Sequence, residues 1–569
     1  MKIVYAARDA GRSNAPSKLG ENVIELLKDR WDDYSCETLF KTSCNINGEE
    51  IYLGSIRIQI KDKTITWKHL DALIADGWNG EFPIPDTEYI SVPSEITFYQ
   101  QLSSSLSIAD AIDIAERLRD ASYLVRIKVD QSALNLTKSR VFNDSLQRSR
   151  GSVKSFLDGW LVFKSKDIEV SNLGFKFHAY NNELKDITFK FEETSILPHE
   201  INVVIGSNGS GKSQLLHQIV KAWLGENQKT NEKYSFHEPP NISQVVVVSY
   251  SPFEMFPVDL FGLHNSDENI YKYFGMRERS VSQKPGALSR NIRLTHQAPK
   301  KSSVISLLNC LEDDSKYGTI SEWSNKTSTV EEVISTAFDF DFAAVNIPNT
   351  CQIDDVELHS YHKEAMFDVE ISGEKKRFVR ISKNTTDELN LIKLREHTIK
   401  SDGVTFFKNG KPVELSSGQK LFSYIVVNVL GAIRRNSLLL IDEPELFLHP
   451  NLEIQFIDML KQILSSFSSK AIIATHSLVT VREIPKNCVH VFTRTDDGLE
   501  INNPPFQTFS GDIQRISSYV FGDKSISKPY KHWIKKQIKN NSDIDSLLEQ
   551  LKGELNEELI IQLEAERGD

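Results

Sequence analysis

The chain has 569 residues, 40% apolar and 25% charged, with a net charge of −11; at ~150 residues per domain it suits two to four domains whose cores need no disulfides. Five scattered cysteines without a Cys-x-x-Cys pair argue against a disulfide framework or zinc module and for a reducing cytoplasm. An N-terminal apolar run that stops at Ala7 is too short for a secretory signal, no apolar stretch nears the ~20 residues of a membrane span, and the acidic balance disfavours general coating of nucleic acid.

Residues 1–165 mix strand-like runs (Ile51–Leu53, Ile56–Ile60) with a helical one (Ile108–Ala121), which predicts an α+β domain without recognisable chemistry. Next, Ile187–Phe191 alternates like a half-buried strand, and Ile201–Ile205 is aliphatic after Asn202, like a strand buried on both faces. Gly206-Ser207-Asn208-Gly209-Ser210-Gly211-Lys212-Ser213 then fits the phosphate-loop pattern G-x-x-x-x-G-K-[ST], with the helix Gln214–Leu224 after it. Glycines let backbone N–H groups close on phosphate oxygens, and the helix dipole favours the same anion. Lys212 can reach the β- and γ-phosphates, and the Ser213 hydroxyl can ligate Mg²⁺. Gly206 through Gln214 are therefore read as ATP-binding.

A polar loop (Asn227–Glu238) and a buried strand (Val245–Val248) follow, then a long, irregular stretch over 250–400. It holds a basic run, Arg277, Arg279, Lys284, Arg290, Arg293, Lys300 and Lys301, readable as a flexible loop for nucleic-acid backbone. Lys375, Lys376, Arg377 and Arg380 flank Phe378 and Val379, as on an edge strand. In Leu438-Leu439-Leu440-Ile441-Asp442-Glu443-Pro444, a buried strand would deliver Asp442 to the sheet edge where ligands bind, to hold Mg²⁺, and Glu443 to polarise an attacking water. Another strand is expected at Ala471–Ala474, and charged helices at Tyr530–Asn540 and Ile544–Glu566.

Leu415-Ser416-Ser417-Gly418-Gln419 resembles the LSGGQ signature of ABC-type ATPases, with Ser417 replacing a glycine. Leu448-His449-Pro450 resembles the family's D-loop and Ala474-Thr475-His476-Ser477 its histidine switch, all in the family's order over roughly 165–510. The resemblance implies an α/β P-loop NTPase of ABC type, with a parallel or mixed sheet core, an extra N-terminal α+β domain and an inserted lobe. The expected divisions are 1–165, 166–250 with the phosphate loop, 251–400 as the lobe, 401–515 with the signature, and a helical tail at 516–569. It further implies a head-to-tail homodimer or higher oligomer, in which Ser416, Ser417, Gly418 and Gln419 of one copy face the ATP held by the other. Lys212, Glu443 and His476 would be catalytic, with Asn208 and His476 orienting the γ-phosphate and water. The family's glutamine after the Val245–Val248 strand is not evident; Ser251 or Glu254 stands in its place.

A transporter subunit fits poorly, because Ser213 and Leu415 are about two hundred residues apart where that family has about a hundred. Coiled-coil repair ATPases fit poorly too, since heptads are lacking. The segments Ser249–Phe256 and Ile441–Pro450 look like RecF-like ATPases of bacterial antiphage systems, including the OLD group and the PtuA proteins of Septu and retron-associated systems. An OLD nuclease would add a Toprim domain, for which the sixty or so residues after the core are too few. The implied effector is a separate HNH-type nuclease, with DNA or a retron-type RNA/DNA as a further partner, a cytoplasmic location and no membrane. The alternatives are a repair ATPase acting directly on DNA and a scaffold locked by ATP without turnover.

Overall fold

The computed structural model describes residues 1–10, 22–163, 170–191, 196–226, 233–238, 240–261, 270–281, 288–316, 325–350, 365–371, 373–381 and 391–522, with isolated positions beyond. Contacts divide the chain into two units, 1–510 and 511–569. In the second, an amphipathic helix (Ile513–Phe521) is capped by Asp512, whose carboxylate accepts from Arg515 N at 2.8 Å. The helices expected at Tyr530–Asn540 and Ile544–Glu566 lie almost wholly outside the described residues, as does Lys284.

The N-terminal region is an α+β layer pair. Strands β1 (Lys2–Asp9), β2 (Val23–Lys28), β3 (Leu39–Ile46), β4 (Glu49–Ile51), β5 (Ser55–Ile60) and β6 (Tyr89–Pro93) form a sheet in the order β1-β2-β3-β5-β6, with β4 on β3. Helices α1 (Thr66–Ala75), α2 (Thr97–Ser105), α3 (Ile108–Arg117) and α4 (Arg150–Phe163) accompany it. Phe40, Ile58, Leu70, Tyr99 and Ile114 share its core. The buried Asp33 carboxylate is neutralised by Arg57 Nε and Arg148 Nε, each at 3.1 Å, with Ser145 Oγ donating at 3.0 Å. A charge removed from water persists only when paired in this way.

The ATPase region opens with the hairpin β7 (Leu173–His178) and β8 (Leu184–Phe189), then β9 (Ile201–Gly206), helix α5 (Lys212–Trp223), β10 (Ser235–Phe236), β11 (Gln244–Ser249) and β12 (Tyr271–Gly275). Every residue of β9 and β11 is buried, which the unbroken aliphatic runs require. Later in the chain come helix α8 (Ser417–Ala432), β20 (Ser437–Asp442), helix α9 (Pro450–Ser466), β21 (Lys470–Thr475), β22 (Val489–Thr495) and β23 (Gly498–Asn502). The seven-stranded sheet runs β12-β11-β20-β21-β9-β22-β23, parallel throughout except for β23. Parallel strands end on one side, so the loops after β9, β11, β20 and β21 all leave from the same sheet edge. Phe175, Phe177 and Phe189 of the smaller β10-β7-β8 sheet share a core with Leu215, Leu216 and Ile219 of α5.

Where described, the stretch 250–400 carries more regular structure than its sequence suggests. Strand β12 joins the edge of the central sheet itself. The basic run is an antiparallel ribbon, β13 (Arg277–Val281) with β14 (Leu288–Leu294), followed by the 20-residue helix α6 (Gln297–Lys316). Its cations are engaged within the chain: Arg277 with Glu254, Arg279 with Asp259, and Arg293 and Lys301 with Glu278. Where described, the run is thus a paired ribbon and not the flexible loop expected there; the side chains of Lys284 and Arg290 lie outside the described residues. Helix α7 (Lys326–Ala337) leads into a five-stranded sheet of β15 (Phe342–Ile347), β16 (Met366–Ile371), β17 (Glu374–Ile381), β18 (Val404–Lys408) and β19 (Lys411–Pro412), in the order β16-β17-β15-β18-β19. Strand β17, which carries Lys375–Arg380, is thus interior rather than an edge; Asp368 on β16 takes Lys375 and Arg377, and Asp402 takes Lys376. Among the described residues no helix is long and apolar enough to cross a membrane.

His490 on β22 is buried, and its Nε2 lies 3.0 Å from Asn202 Oδ1 of β9. Burial, helped by the Lys190 charge, pushes its pKa down to about 4. The unfolded chain takes up this proton near pH ~6.5 and the folded chain only near 4, so stability is complete above ~6.5 and falls as the pH drops through that window. Replacing His490 with Gln should flatten the acid limb of urea unfolding between pH ~7 and ~4.5; an unaltered slope would contradict this account.

Candidate nucleotide site

The phosphate loop links β9 to α5 with Gly209 at φ 76° and Gly211 at φ 98°, conformations open to glycine at little cost. Gly206 is buried at the strand end, Ser207, Asn208 and Gly209 are exposed, and Gln214 projects from the first turn of α5. Ser210 Oγ is buried and unpartnered. The Lys212 ammonium spends its three donors on Gly206 O (3.1 Å), Ser207 O (3.3 Å) and His476 Nε2 (2.8 Å). Burial pulls the Lys212 pKa down, while Glu443, Asp442 and Glu445 hold it up.

Ser213 Oγ donates to Asp442 Oδ1 at 2.8 Å, joining α5 to the end of β20. Asp442 is 2% exposed, and burial raises its pKa to about 7, opposed by the Ser213 hydrogen bond and helped by the Glu443 charge. A shift of that size weighs about 4 kcal/mol against the ionised form. That rise already counts the Ser213 hydrogen bond and the Lys212 charge, so a further cation beside Asp442 would favour its ionised form. A serine hydroxyl beside a carboxylate is the hard-oxygen set that Mg²⁺ accepts, and these residues fit it.

A third buried hydroxyl faces the same side of the sheet. Ser249 ends β11 in register with Asp442. Val245 and Val247 share a core cluster with Leu438 and Leu440, so by strand alternation Ser249 and Asp442 face the same side. The Ser249 hydroxyl is buried and unpartnered. The sequence reading had turned instead to Ser251 and Glu254. Glu254 is committed elsewhere: it accepts from Phe256 N at 2.7 Å and from Tyr273, and pairs with Arg277. The signal for Ser249 was the two-residue period of the strand, which lines it up with the acid.

Glu443 follows Asp442 with φ 48°, a left-handed conformation that costs a side-chain-bearing residue about 1–2 kcal/mol. Its N–H is fixed by Ala474 O at 2.8 Å, and its Oε1 stands 3.7 Å from His476 Nε2. Because Lys212 offers no lone pair, Nε2 of His476 is the acceptor, which makes the ring neutral with its proton on Nδ1. Burial, with the Lys212 charge second, pushes the His476 pKa down to about 4. Glu445 Oε1 accepts the His476 N–H at 2.5 Å.

The signature forms the start of α8. Ser416 caps it, accepting from Gln419 N at 3.3 Å while Gln419 Oε1 accepts from Ser416 N at 3.0 Å, a complete capping box. Gln419 Nε2 also donates to Ala337 O of α7 at 3.3 Å. A side chain at Gly418 would meet Phe447 O at 2.9 Å, so glycine lets the helix start lie against the turn after Glu443. His449 caps α9. Ser417 is exposed. Among the described residues, no hydrogen bond of Ser416, Ser417, Gly418 or Gln419 reaches the phosphate loop. Lys212, Ser213, Asp442, Glu443 and His476 are thus brought together, and the signature meets the turn after Glu443 with no hydrogen bond to them among the described residues.

Substituting Lys212 with Ala should lower ATP affinity at least about tenfold and raise the His476 pKa above about 4, toward the ordinary histidine range. Nucleotide binding and histidine NMR check both; unchanged affinity or an unmoved His476 midpoint would contradict the geometry.

Residues 201–482, just under half of the chain, match the family described as "AAA domain, putative AbiEii toxin, Type IV TA system". The whole chain is similar to protein ea59 of Escherichia phage lambda, 24% identical over 558 residues, covering 94% of this chain and 93% of that one. The SMC head domain from Thermotoga maritima is similar at 10% identity and a TM-score of 0.25, covering 59% of this chain and 100% of that one. UvrA2 from Deinococcus radiodurans is similar at 14% identity and a TM-score of 0.25, covering 70% of this chain and 43% of that one. Residues 201–482, matched by that family, have the fold of a P-loop ATPase domain of the ABC type, with the phosphate loop, Asp442 and His476 assembled together.

Proposed function

We propose that the chain hydrolyses ATP with Mg²⁺ and does so as a head-to-tail pair of copies. The observation that carries this reading is that, among the described residues, no hydrogen bond joins the signature to the site. One edge holds Lys212, Ser213, Asp442, Glu443 and His476, while Ser417, at the N-terminus of α8, is exposed. A second copy supplies what one copy leaves open: its Ser417 and Gly418 would close on the γ-phosphate, with the α8 dipole adding to the attraction. Exposed apolar side chains on loops from the same edge support a buried contact there: Phe253 at 88%, Met255 at 70%, Leu446 at 48% and Phe447 at 42% exposure.

In this mechanism Lys212 and the loop N–H groups neutralise the phosphates. Ser213 and Asp442, with Ser249 beside them, would hold Mg²⁺, which supplies charge stabilisation at the transferring phosphoryl group. Glu443 takes a proton from water, and His476 orients water and γ-phosphate. ATP binding closes the pair and hydrolysis opens it, because only the closed state shares the triphosphate.

The proposed output is control of a separate HNH-type nuclease in bacterial antiphage defence. It is supported by the resemblance of Ser249–Phe256 and Ile441–Pro450 to RecF-like defence ATPases and by a family description that names a toxin. The relative ea59 is itself a phage protein, so carriage by either side of that conflict is compatible with the reading. Internal pairing of Arg277, Arg279, Arg293 and Lys301 removes one argument for direct nucleic-acid contact. The neighbouring reading frame tests the output: an HNH nuclease supports it, a membrane permease contradicts it.

Glu443→Gln should bind ATP, release phosphate at least ~100-fold more slowly and stay dimeric with ATP in light scattering. Wild-type turnover in that variant would rule out Glu443 as the base.

A further inference from the structure

The geometry points to Glu445 and Glu453 as positioning residues that clamp the Thr475–Ser477 segment and so set where the His476 ring stands. This rests on the reading that His476 acts on bound ATP. Two consecutive residues of the segment are tied to the two acids. The His476 N–H donates to Glu445 Oε1 at 2.5 Å, and the Ser477 hydroxyl donates to Glu453 Oε2. Ser477 Oγ also accepts from Thr480 N at 3.3 Å, capping the short helix that follows.

The clamp is an expensive way to hold a loop. Glu453 is 8% exposed, and Glu445 Oε2 is buried with no hydrogen-bond partner. Burial raises both carboxyl pKa values, and each acid's neighbourhood is crowded: the Glu453 charge adds to the rise at Glu445. A serine or asparagine could accept the His476 N–H without burying an acid. A reason for placing acids here is where they come from. Glu445 lies in the turn Pro444–Phe447, directly after Glu443, and Glu453 lies in the first turns of α9. The same turn puts Phe447 O against Gly418 of the signature helix. The ring of His476 is thereby referenced to the segment that carries Glu443 and abuts the signature. Its alignment, 2.8 Å from Lys212 and 3.7 Å from Glu443, follows that segment and not β21 alone.

The test compares Glu445→Ala, Glu445→Gln and Glu453→Gln by steady-state ATPase kinetics and by the ring ¹⁵N shifts of His476. Wild type should show the single tautomer protonated at Nδ1. Glu445→Ala should average the tautomers and lower kcat about tenfold with KM within about twofold, a split that marks lost transition-state alignment. Glu445→Gln keeps an oxygen for the His476 N–H and should stay within about threefold of wild type, and Glu453→Gln should behave likewise. Should Glu445→Ala fail to fold, a Glu445→Gln variant with averaged tautomers or a tenfold lower kcat overturns the proposal. It is equally overturned by a folded Glu445→Ala whose His476 tautomer and kcat match wild type, even if its Tm falls. If wild type itself releases no phosphate above Lys212→Ala, the hydrolysis reading fails, and the tautomer measurement still decides whether the clamp exists.

Discussion

A carboxylate that is 2% exposed needs positive charge beside it, and the ATPase core is organised around that need at Asp442. Strand β20 is buried along its whole length, so its terminal acid arrives at the sheet edge already stripped of water. The Ser213 hydroxyl answers part of the cost, and the Lys212 ammonium stands in the same pocket. A divalent cation held on oxygens, with the triphosphate that brings it, would supply the remaining charge. The depressed His476 and Lys212 pKa values and the raised one of Asp442 suit a site that such a ligand would complete.

The signature helix α8 has a second significance. At its start, Gln419 bonds to Ala337 of α7 and Gly418 packs on Phe447. Two residues past its end, Arg434 pairs with Glu95, which lies between β6 and α2 of the N-terminal region. Lys154 of α4 reaches Asn241, just before β11. The α7 region and the catalytic turn therefore touch this helix, and the N-terminal region meets the segments just after it and just before β11. A chain whose nucleotide site reports to other regions needs a connecting element of this kind, and α8 is the one that the hydrogen bonds pick out.

The nucleotide site was legible in the sequence because each of its parts is local. A phosphate loop needs its glycines, lysine and serine within eight positions, and a buried parallel strand announces itself by an unbroken aliphatic run, as at Val245–Val248 and Leu438–Ile441. The stretch 250–400 was not legible for the opposite reason. Strand β12 has a polar, aromatic sequence and is a strand because β11 lies beside it. The basic residues of the β13–β14 ribbon looked free because their acids, Glu254 and Asp259, sit about twenty positions away and meet them only in the fold. Likewise β17 looked like an edge because its charges are answered by Asp368 and Asp402 across neighbouring elements. In the N-terminal region the pairing of Asp33 with Arg148 spans more than a hundred residues, beyond any pattern in spacing. Glu445 was visible as a letter, but its task depends on β20 and β21 being neighbours.

The central claim is that one copy cradles the triphosphate and another clamps it. Site-directed crosslinking reads this directly. Cysteines are placed at Asn208 on one tagged chain and at Ser417 on a differently tagged chain, in the Glu443→Gln background with ATP and Mg²⁺. The account predicts a covalent product containing both tags that forms with ATP and fades without it. An ATP-loaded protein in which these two positions never join between chains would contradict it.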